Sequence, residues 1–328
     1  MRRVLFTHPM IESGLKEMQA LGYEIYCPKE KKPRQEIIEE AKSKGYEAIV
    51  CPVFKVDKEV IDAMPELKII CTFGKGYDNV DLGYATEKGI VVANMHAVDE
   101  VTAEFGAALI ASTMRNIVQT NYNLRTIPGL PWGPVANLGH SLRNKTLGII
   151  GMGRIGRGVA KRMMAFGMDI IYYNRKSVGE ELEGFLGNAR LVSLEELLRT
   201  SDAVFINAPL NEESFHMINE ETLNMMKEDA YLFNQGRGQI VDEQALIKHL
   251  QAGKLAGVGL DVFEHEPNIP QELLEMRNVV VTAHMGTGTY EDKAGMVAAA
   301  GRNIIEYFEH GRVPNLVNRD VLPKLNLK

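Results

Sequence analysis

The chain has 328 residues, more than one typical core accommodates, and is expected to form two domains. With 45% hydrophobic and 24% charged residues it reads as a soluble globular protein, and a net charge of −6 argues against a nucleic-acid partner, because phosphate contact needs a surplus of Lys and Arg on one face. No apolar run approaches the roughly 18 residues that span a bilayer, so no membrane partner is expected.

The first residues, Met1-Arg-Arg-Val-Leu-Phe, read as the start of a strand rather than a signal peptide, since Pro9 and Glu12 interrupt the run. The cytoplasm is the expected compartment. Strand patterns follow at 3–7, 23–26, 48–51, 68–72 and 90–93, with helical patterns between them such as 34–44, where Ile37, Ile38 and Ala41 share a face. This alternation predicts a parallel α/β layer. The three cysteines, Cys27, Cys51 and Cys71, have no metal-ligand spacing and read as reduced, half-buried fillers. A helical stretch over 99–124, with small and apolar residues on several faces, reads as one buried element and a hinge. A Pro/Gly-rich loop follows at 128–134.

A second α/β pattern opens at Lys145, with strands expected at 146–150, 169–173, 203–207, 231–234, 256–260 and 279–282, as in a doubly wound sheet. Its first strand runs into Gly151-Met-Gly153-Arg154-Ile155-Gly156, a G-x-G-x-x-G turn followed by an amphipathic run (Ile155, Val159, Met163, Phe166). Each glycine meets a distinct physical need. Gly151 permits the turn, Gly153 admits a pyrophosphate close to the backbone, and Gly156 lets helix and strand pack closely. The helix start then presents unpaired N–H groups to the phosphates. About 20 residues on, NAD-specific folds carry an acid for the ribose hydroxyls. Here the position reads Asn174-Arg175-Lys176. Two cations suit a 2′-phosphate, which favours NADP; the other reading makes them a solvated loop, with NAD bound and Asn174 on the ribose.

Hydride transfer to a 2-keto acid needs a cation for the carboxylate and a proton donor for the carbonyl oxygen. Three segments after strands offer these: Asn234-Gln-Gly236-Arg237-Gly238, Gly259-Leu-Asp261-Val-Phe-Glu264-His265-Glu266-Pro267 and Thr282-Ala-His284-Met-Gly286. Taken singly, Arg237 could be a surface ion pair, Glu266 a loop carboxylate and His284 a core histidine. Their order along one sheet edge favours a shared site.

With these segments, together with Gly76-Tyr-Asp78-Asn-Val-Asp81, Ala160-Lys-Arg, Phe166-Gly, Pro209-Leu-Asn and Met217-Ile-Asn219, the chain resembles the D-isomer-specific 2-hydroxyacid dehydrogenases over nearly its whole length. Within them it resembles the glyoxylate/hydroxypyruvate reductase branch. The resemblance implies two Rossmann-like lobes: a discontinuous, flavodoxin-like substrate domain (1–98 and 285–328) and a dinucleotide-binding domain (99–284). It also implies a cleft between lobes and a homodimer. Arg237 would hold the substrate carboxylate and polarise its carbonyl, and His284 would donate the proton. Glu266, directly before Pro267, would hydrogen-bond the imidazole and keep it a donor, with Glu264 the weaker candidate for that role. Asp261 and the backbone near Asn234 would fix the nicotinamide carboxamide. The cofactor would be lined by Gly151, Gly153, Arg154, Ile155, Gly156, Asn174, Arg175, Lys176, Ala208, Pro209, Asn234, Gly236, Asp261, His284 and Gly286.

The loop Phe73-Gly74-Lys75-Gly76 would wrap the substrate carboxylate, and Lys75 departs from the small apolar residue usual there, although phosphite dehydrogenase, a relative, also carries a Lys in this loop. Pointing inward, Lys75 would favour a more anionic substrate; pointing outward, only its backbone would matter. Phe54 and His8 follow strands and are candidates for the same cleft. His96, His140 and His265 have no such context and read as structural or exposed. The reaction expected is reduction of glyoxylate or hydroxypyruvate by NADPH. The alternatives are an NAD-dependent D-lactate-type dehydrogenase, remotely a phosphite dehydrogenase, or a cofactor-sensing binding protein like the C-terminal-binding corepressors.

Overall fold

The computed structural model describes residues 1–95 and 98–325, which form two compact units, Met1–Val98 with Thr287–Lys328, and Asp99–Gly286. His96 lies outside the described residues.

In the first unit the strands are β1 (Arg3–Phe6), β2 (Glu24–Tyr26), β3 (Ala48–Cys51), β4 (Ile69–Thr72) and β5 (Val91–Ala93). All neighbours are parallel, in the order β2-β1-β3-β4-β5, which is the flavodoxin-like arrangement. Strands β3, β4 and β5 are fully buried and nearly all apolar, as expected where helices cover both faces of a parallel sheet. Helix Arg34–Ser43 buries Ile37, Ile38 and Ala41. The long helix Tyr290–His310 rejoins this unit: a Cβ on Gly14 would come within 2.5 Å of Val297 Cβ, so only glycine lets the two segments approach this closely. Asn318 then fastens the following segment to β5, accepting from Val92 N at 2.8 Å and donating to Ile90 O at 2.9 Å.

Cys51 and Cys71 are fully buried rather than half-buried, and burial pushes the Cys51 thiol up to about 12 and Cys71 higher than its usual range too. They stay protonated core atoms. Phe54 is likewise part of this core, with the Arg34 guanidinium 5.3 Å from its ring centroid.

The second unit contains β6 (Thr146–Ile150), β7 (Asp169–Tyr173), β8 (Arg190–Leu191), β9 (Ala203–Ile206), β10 (Tyr231–Asn234), β11 (Gly257–Leu260) and β12 (Val279–Val281). They form one parallel sheet in the order β12-β11-β10-β9-β6-β7-β8. Counted from β6, that is the doubly wound order 3-2-1-4-5-6 with a seventh strand added. The period-2 alternation of side chains divides the apolar residues between two cores. Leu147, Ile149, Phe205 and Phe233 face one; Ile150, Val204, Ile206 and Leu232 face the other. Strand β8 escapes the sequence pattern because it is two exposed residues at an edge.

The expected single helix over 99–124 is two helices, Asp99–Met114 and Ile117–Thr126, separated by Asn116 in a left-handed conformation (φ 55°). The first is buried along much of its length, but the second buries none of its residues. Phe166, expected on the apolar face of helix Arg154–Ala165, caps it and is exposed. Among the described residues no helix is long and apolar enough to cross a membrane, and no group of His, Cys, Asp and Glu is arranged to hold a metal ion.

Candidate active site

Because all seven strands of the second unit are parallel, every loop that leaves a strand's carboxyl end emerges at the same edge of the sheet. The order reverses between β6 and β9, which is where open α/β sheets bind ligands.

At that point β6 runs into the glycine-rich turn. Gly151 has φ of +99° and no room for a side chain: a Cβ would sit 2.7 Å from Asn207 O and 2.8 Å from the backbone N of Ala208. A Cβ on Gly156 would be 2.4 Å from Gly151 O, so helix and turn touch through backbone. Around Gly153, by contrast, a Cβ would meet nothing within 4 Å. The helix begins at Arg154 with no side-chain cap, leaving its first N–H groups unpaired within the helix. This is a cradle for an anion that can come close to the backbone, and the residues fit a dinucleotide pyrophosphate. Arg154 and Ile155 form the first helical turn; the Arg154 side chain is largely exposed and 3.5 Å from Asp99.

After β7, the Asn174 side-chain oxygen accepts from Met152 N at 2.8 Å, so this residue braces the glycine turn and leaves its amide N–H groups for other partners. Arg175 and Lys176 are exposed beyond it. After β9, Ala208 is half-buried and the Pro209 carbonyl accepts from Ser214 Oγ at 2.7 Å.

The loops after β10, β11 and β12 converge. Asn234 shapes the first, donating to Arg237 O at 2.9 Å and accepting from Gly236 N at 3.0 Å. This turns Arg237 out of the strand, and its guanidinium donates to Gly236 O at 2.9 Å. In the last loop His284 Nδ1 donates to Glu266 Oε2 at 2.9 Å, while Glu266 Oε1 accepts from Phe263 N at 3.1 Å. Burial pushes the Glu266 carboxyl up, but the hydrogen bond and charge of the imidazole, the Phe263 N–H and the Arg237 guanidinium outweigh it and hold the carboxyl below its ordinary range. Glu266 is therefore ionised at neutral pH, and with Nδ1 committed to it, the ring has Nε2 left to exchange a proton with a ligand.

His284 is itself in the left-handed region, φ 50°, which is uncommon outside glycine. Asp261 holds it there. Its carbonyl accepts from His284 N at 2.9 Å, Oδ1 accepts from Met285 N at 2.8 Å and Thr282 Oγ1 at 2.6 Å, and Oδ2 accepts from Gly286 N at 2.9 Å. Both carboxylate oxygens of the side chain expected at the carboxamide are thus engaged in stapling the histidine loop. Burial pushes its carboxyl above the usual range despite these bonds.

Glu264 does not reach His284. It hydrogen-bonds His216, a residue in the loop after β9 that the sequence motifs do not single out. A signal is nonetheless there: His216 directly precedes the Met217-Ile-Asn219 segment and lies in a loop leaving the same sheet edge. Lys75 and Gly76 belong to the first unit, on the loop after β4, where the Lys75 carbonyl accepts from Asn94 at 2.9 Å and its side chain is exposed. His8, in that unit, shares a hydrogen bond with Thr7 Oγ1 at 3.0 Å. His140 and His265 are exposed.

Known proteins are similar to this chain over nearly its whole length. A glyoxylate reductase of Thermococcus litoralis is 42% identical over 98% of each chain. The structure of the TT0316 protein from Thermus thermophilus superposes with a TM-score of 0.88 at 34% identity, covering 96% of this chain and 99% of that one. An NADPH-dependent glyoxylate/hydroxypyruvate reductase from Sinorhizobium meliloti, solved with NADP and malonate, gives 0.83 at 30% identity, covering 98% and 97%. Residues 107–286, which include the glycine turn, Arg237, Glu266 and His284, match the model of the D-isomer specific 2-hydroxyacid dehydrogenase NAD-binding domain, and the chain belongs to that family of nicotinamide-dependent oxidoreductases.

Proposed function

We propose that this protein reduces glyoxylate, or hydroxypyruvate, to the corresponding 2-hydroxy acid with NADPH. The observation that carries the reading is the His284–Glu266 hydrogen bond, set at the sheet edge that also bears Arg237 and the glycine turn. The bound nicotinamide would supply the hydride to the carbonyl carbon. Arg237 would pair with the keto acid's carboxylate and draw electron density from its carbonyl, and His284 Nε2 would give its proton to the carbonyl oxygen as that oxygen gains charge. Glu266 would fix the ring's orientation and balance its charge through Nδ1. Asn234, Gly236, Asp261 and Gly286 would border the carboxamide, and Ala208 and Pro209 the adjoining ribose. The activity of the T. litoralis and S. meliloti relatives supports this substrate class.

Preference for NADP is supported by Arg175 and Lys176, exposed after β7 where an acid would repel a 2′-phosphate. Initial rates of absorbance loss at the nicotinamide band, with NADPH and NADH against glyoxylate, hydroxypyruvate, pyruvate and phenylpyruvate, test both statements. Turnover on glyoxylate or hydroxypyruvate should be fastest, and Arg175→Ala with Lys176→Ala should raise KM for NADPH at least tenfold while changing KM for NADH little. Equal use of both cofactors by the unaltered protein would remove the NADP preference. Absence of turnover on every acid would bring forward the cofactor-sensing reading.

A homodimer is supported by one stretch of chain. From Asn116 to Leu142 the one charged side chain is Arg125, in a protein with 24% charged residues overall. Within it Ile117, Val118, Tyr122, Leu124, Trp132, Val135 and Leu138 are exposed, Trp132 at 87%. A stretch so poor in charge is suited to a second copy of itself, because little like-charge repulsion opposes self-pairing about a twofold axis. Light scattering should return twice the chain mass, and Val118→Glu with Tyr122→Glu should return the single mass; a monomeric starting protein overturns the proposal.

A further inference from the structure

A second histidine–carboxylate pair ties the loop after β9 to the loop bearing Glu266, and Gln239 joins both to the loop bearing Arg237. His216 Nε2 hydrogen-bonds Glu264, whose side chain is only 13% exposed. The same histidine's backbone N–H donates to Gln239 O at 2.9 Å, and the Gln239 side chain donates to Glu264 O at 2.8 Å. The three residues therefore close a ring of hydrogen bonds through the loops after β9, β10 and β11. Gln239 lies two residues beyond Arg237, and Glu264 two before Glu266.

Everything around the ring holds its geometry. His216 has φ of 47°, a conformation that persists in a non-glycine residue only when its surroundings fix it. Asn219 donates to its carbonyl at 3.1 Å, and Phe215 stacks on the imidazole with centroids 4.1 Å apart and planes 18° from parallel. The backbone beyond pairs as a parallel bridge between Ile218 and Val241. Gly238 lies so close to the next loop that a Cβ would fall 1.9 Å from the carbonyl carbon of Phe263, so the Arg237 turn and the Glu266 loop meet backbone to backbone. Behind them the buried Glu243 accepts from Glu264 N at 3.4 Å.

We propose that His216 and Glu264 are positioning residues: their hydrogen bond sets the relative placement of Arg237 and Glu266 without contact to substrate or cofactor. This rests on the roles assigned above to Arg237, Glu266 and His284. Packing alone fixes how closely two loops approach, whereas a directional bond between partly buried polar groups also fixes how far one slides past the other. Sliding is the damaging motion here, since a misplacement of about 1 Å at a reacting group can cost a hundredfold in rate.

His216→Asn tests the link. Asparagine tolerates the left-handed backbone but is too short to reach Glu264, whereas His216→Gln keeps a donor of suitable length. In glyoxylate reduction, His216→Asn and Glu264→Ala should each lower kcat/KM by about 10- to 100-fold, with KM raised and kcat reduced, by analogy with small displacements of reacting groups. The double variant should be no worse than the poorer single one, because both remove the same bond. His216→Gln should return to within about threefold of the unaltered enzyme, and the Kd for NADPH should stay within about twofold throughout. Unchanged kinetics in the single variants, additive losses in the double one, or loss of NADPH binding in step with activity would each overturn the proposal. If His216→Asn fails to fold, Glu264→Ala and His216→Gln decide by the same criteria. A crystal structure of Glu264→Ala supplies a readout free of turnover: the loop bearing Arg237 should shift relative to Glu266 and its 2.9 Å bond to His284, and finding Arg237 and Glu266 in their original relative placement refutes the clamp whatever the substrate is. An unaltered protein inactive on every 2-keto acid would instead remove the functional reading and leave the clamp to be judged by that structure.

Discussion

Replacing Arg237 by alanine is expected to lower kcat/KM for the keto acid by about three to four orders of magnitude while leaving the Kd for the cofactor within a factor of a few. Two losses combine. The substrate carboxylate loses a charge-assisted, potentially bidentate partner, and the carbonyl loses the cation that steadies the charge growing on its oxygen. Together they are worth roughly 4–5 kcal/mol, and each 1.4 kcal/mol is a factor of ten. Arg237→Lys should recover only a part, because a point charge on a flexible stem does not reproduce the planar fork. The cofactor should bind nearly as before, since the glycine turn, the start of helix Arg154–Ala165 and Asn174 owe nothing to Arg237. Steady-state kinetics with fluorescence titration of NADPH separate the two effects, and a collapse of cofactor affinity would show that Arg237 has been given the wrong role.

His284→Asn should lower kcat by about a thousandfold, the middle of the range for removing a general acid. Asparagine is the instructive choice because it accepts the φ of 50° at this position, so the loss is not confounded by backbone strain. KM for the keto acid should change little, since carboxylate recognition remains with Arg237. Glu266→Gln should cost less, because an amide oxygen still accepts from Nδ1 while no longer balancing the charge of the protonated ring. A kcat for His284→Asn within tenfold of the unaltered enzyme would mean that the proton comes from elsewhere.

Much of this architecture is legible in the residues alone. The alternation of short apolar strands with amphipathic segments identifies two parallel layers, and the glycine turn locates the switch point of the second, because in both cases the physical requirement acts over a few adjacent residues. What escapes the sequence is whatever depends on a partner far along the chain. The break at Asn116 is invisible because Ile117–Thr126 carries the same apolar residues that elsewhere mark a buried face; only the surroundings show that nothing in the described unit covers them. Asp261 reads as an acid for the carboxamide, and nothing near it in the sequence shows that it also accepts four hydrogen bonds from residues at 282–286, about 20 positions away in the chain and adjacent in the sheet. Glu264 and Glu266 are two residues apart and chemically alike. The loop presents them to different histidines, and the adjacent proline, rather than any property of the acids, distinguishes them in the sequence.

The chain leaves the five-stranded unit at Val98 and returns to it at Thr287. On the ribosome this makes the first segment synthesised the last to be completed. Strand β5 emerges early, but the side chain that occupies Val92 N and Ile90 O belongs to Asn318, and the helix that packs on Gly14 is made only after the whole of Asp99–Gly286. The second unit, continuous in sequence, can fold as soon as it is released, since domains generally fold as units during synthesis. The nascent first unit must wait with an apolar flank uncovered for the time needed to add nearly 190 residues, about 10–40 s at 5–20 residues per second. A break in the chain between Gly286 and Thr287 would therefore spare the younger unit and strand the older one.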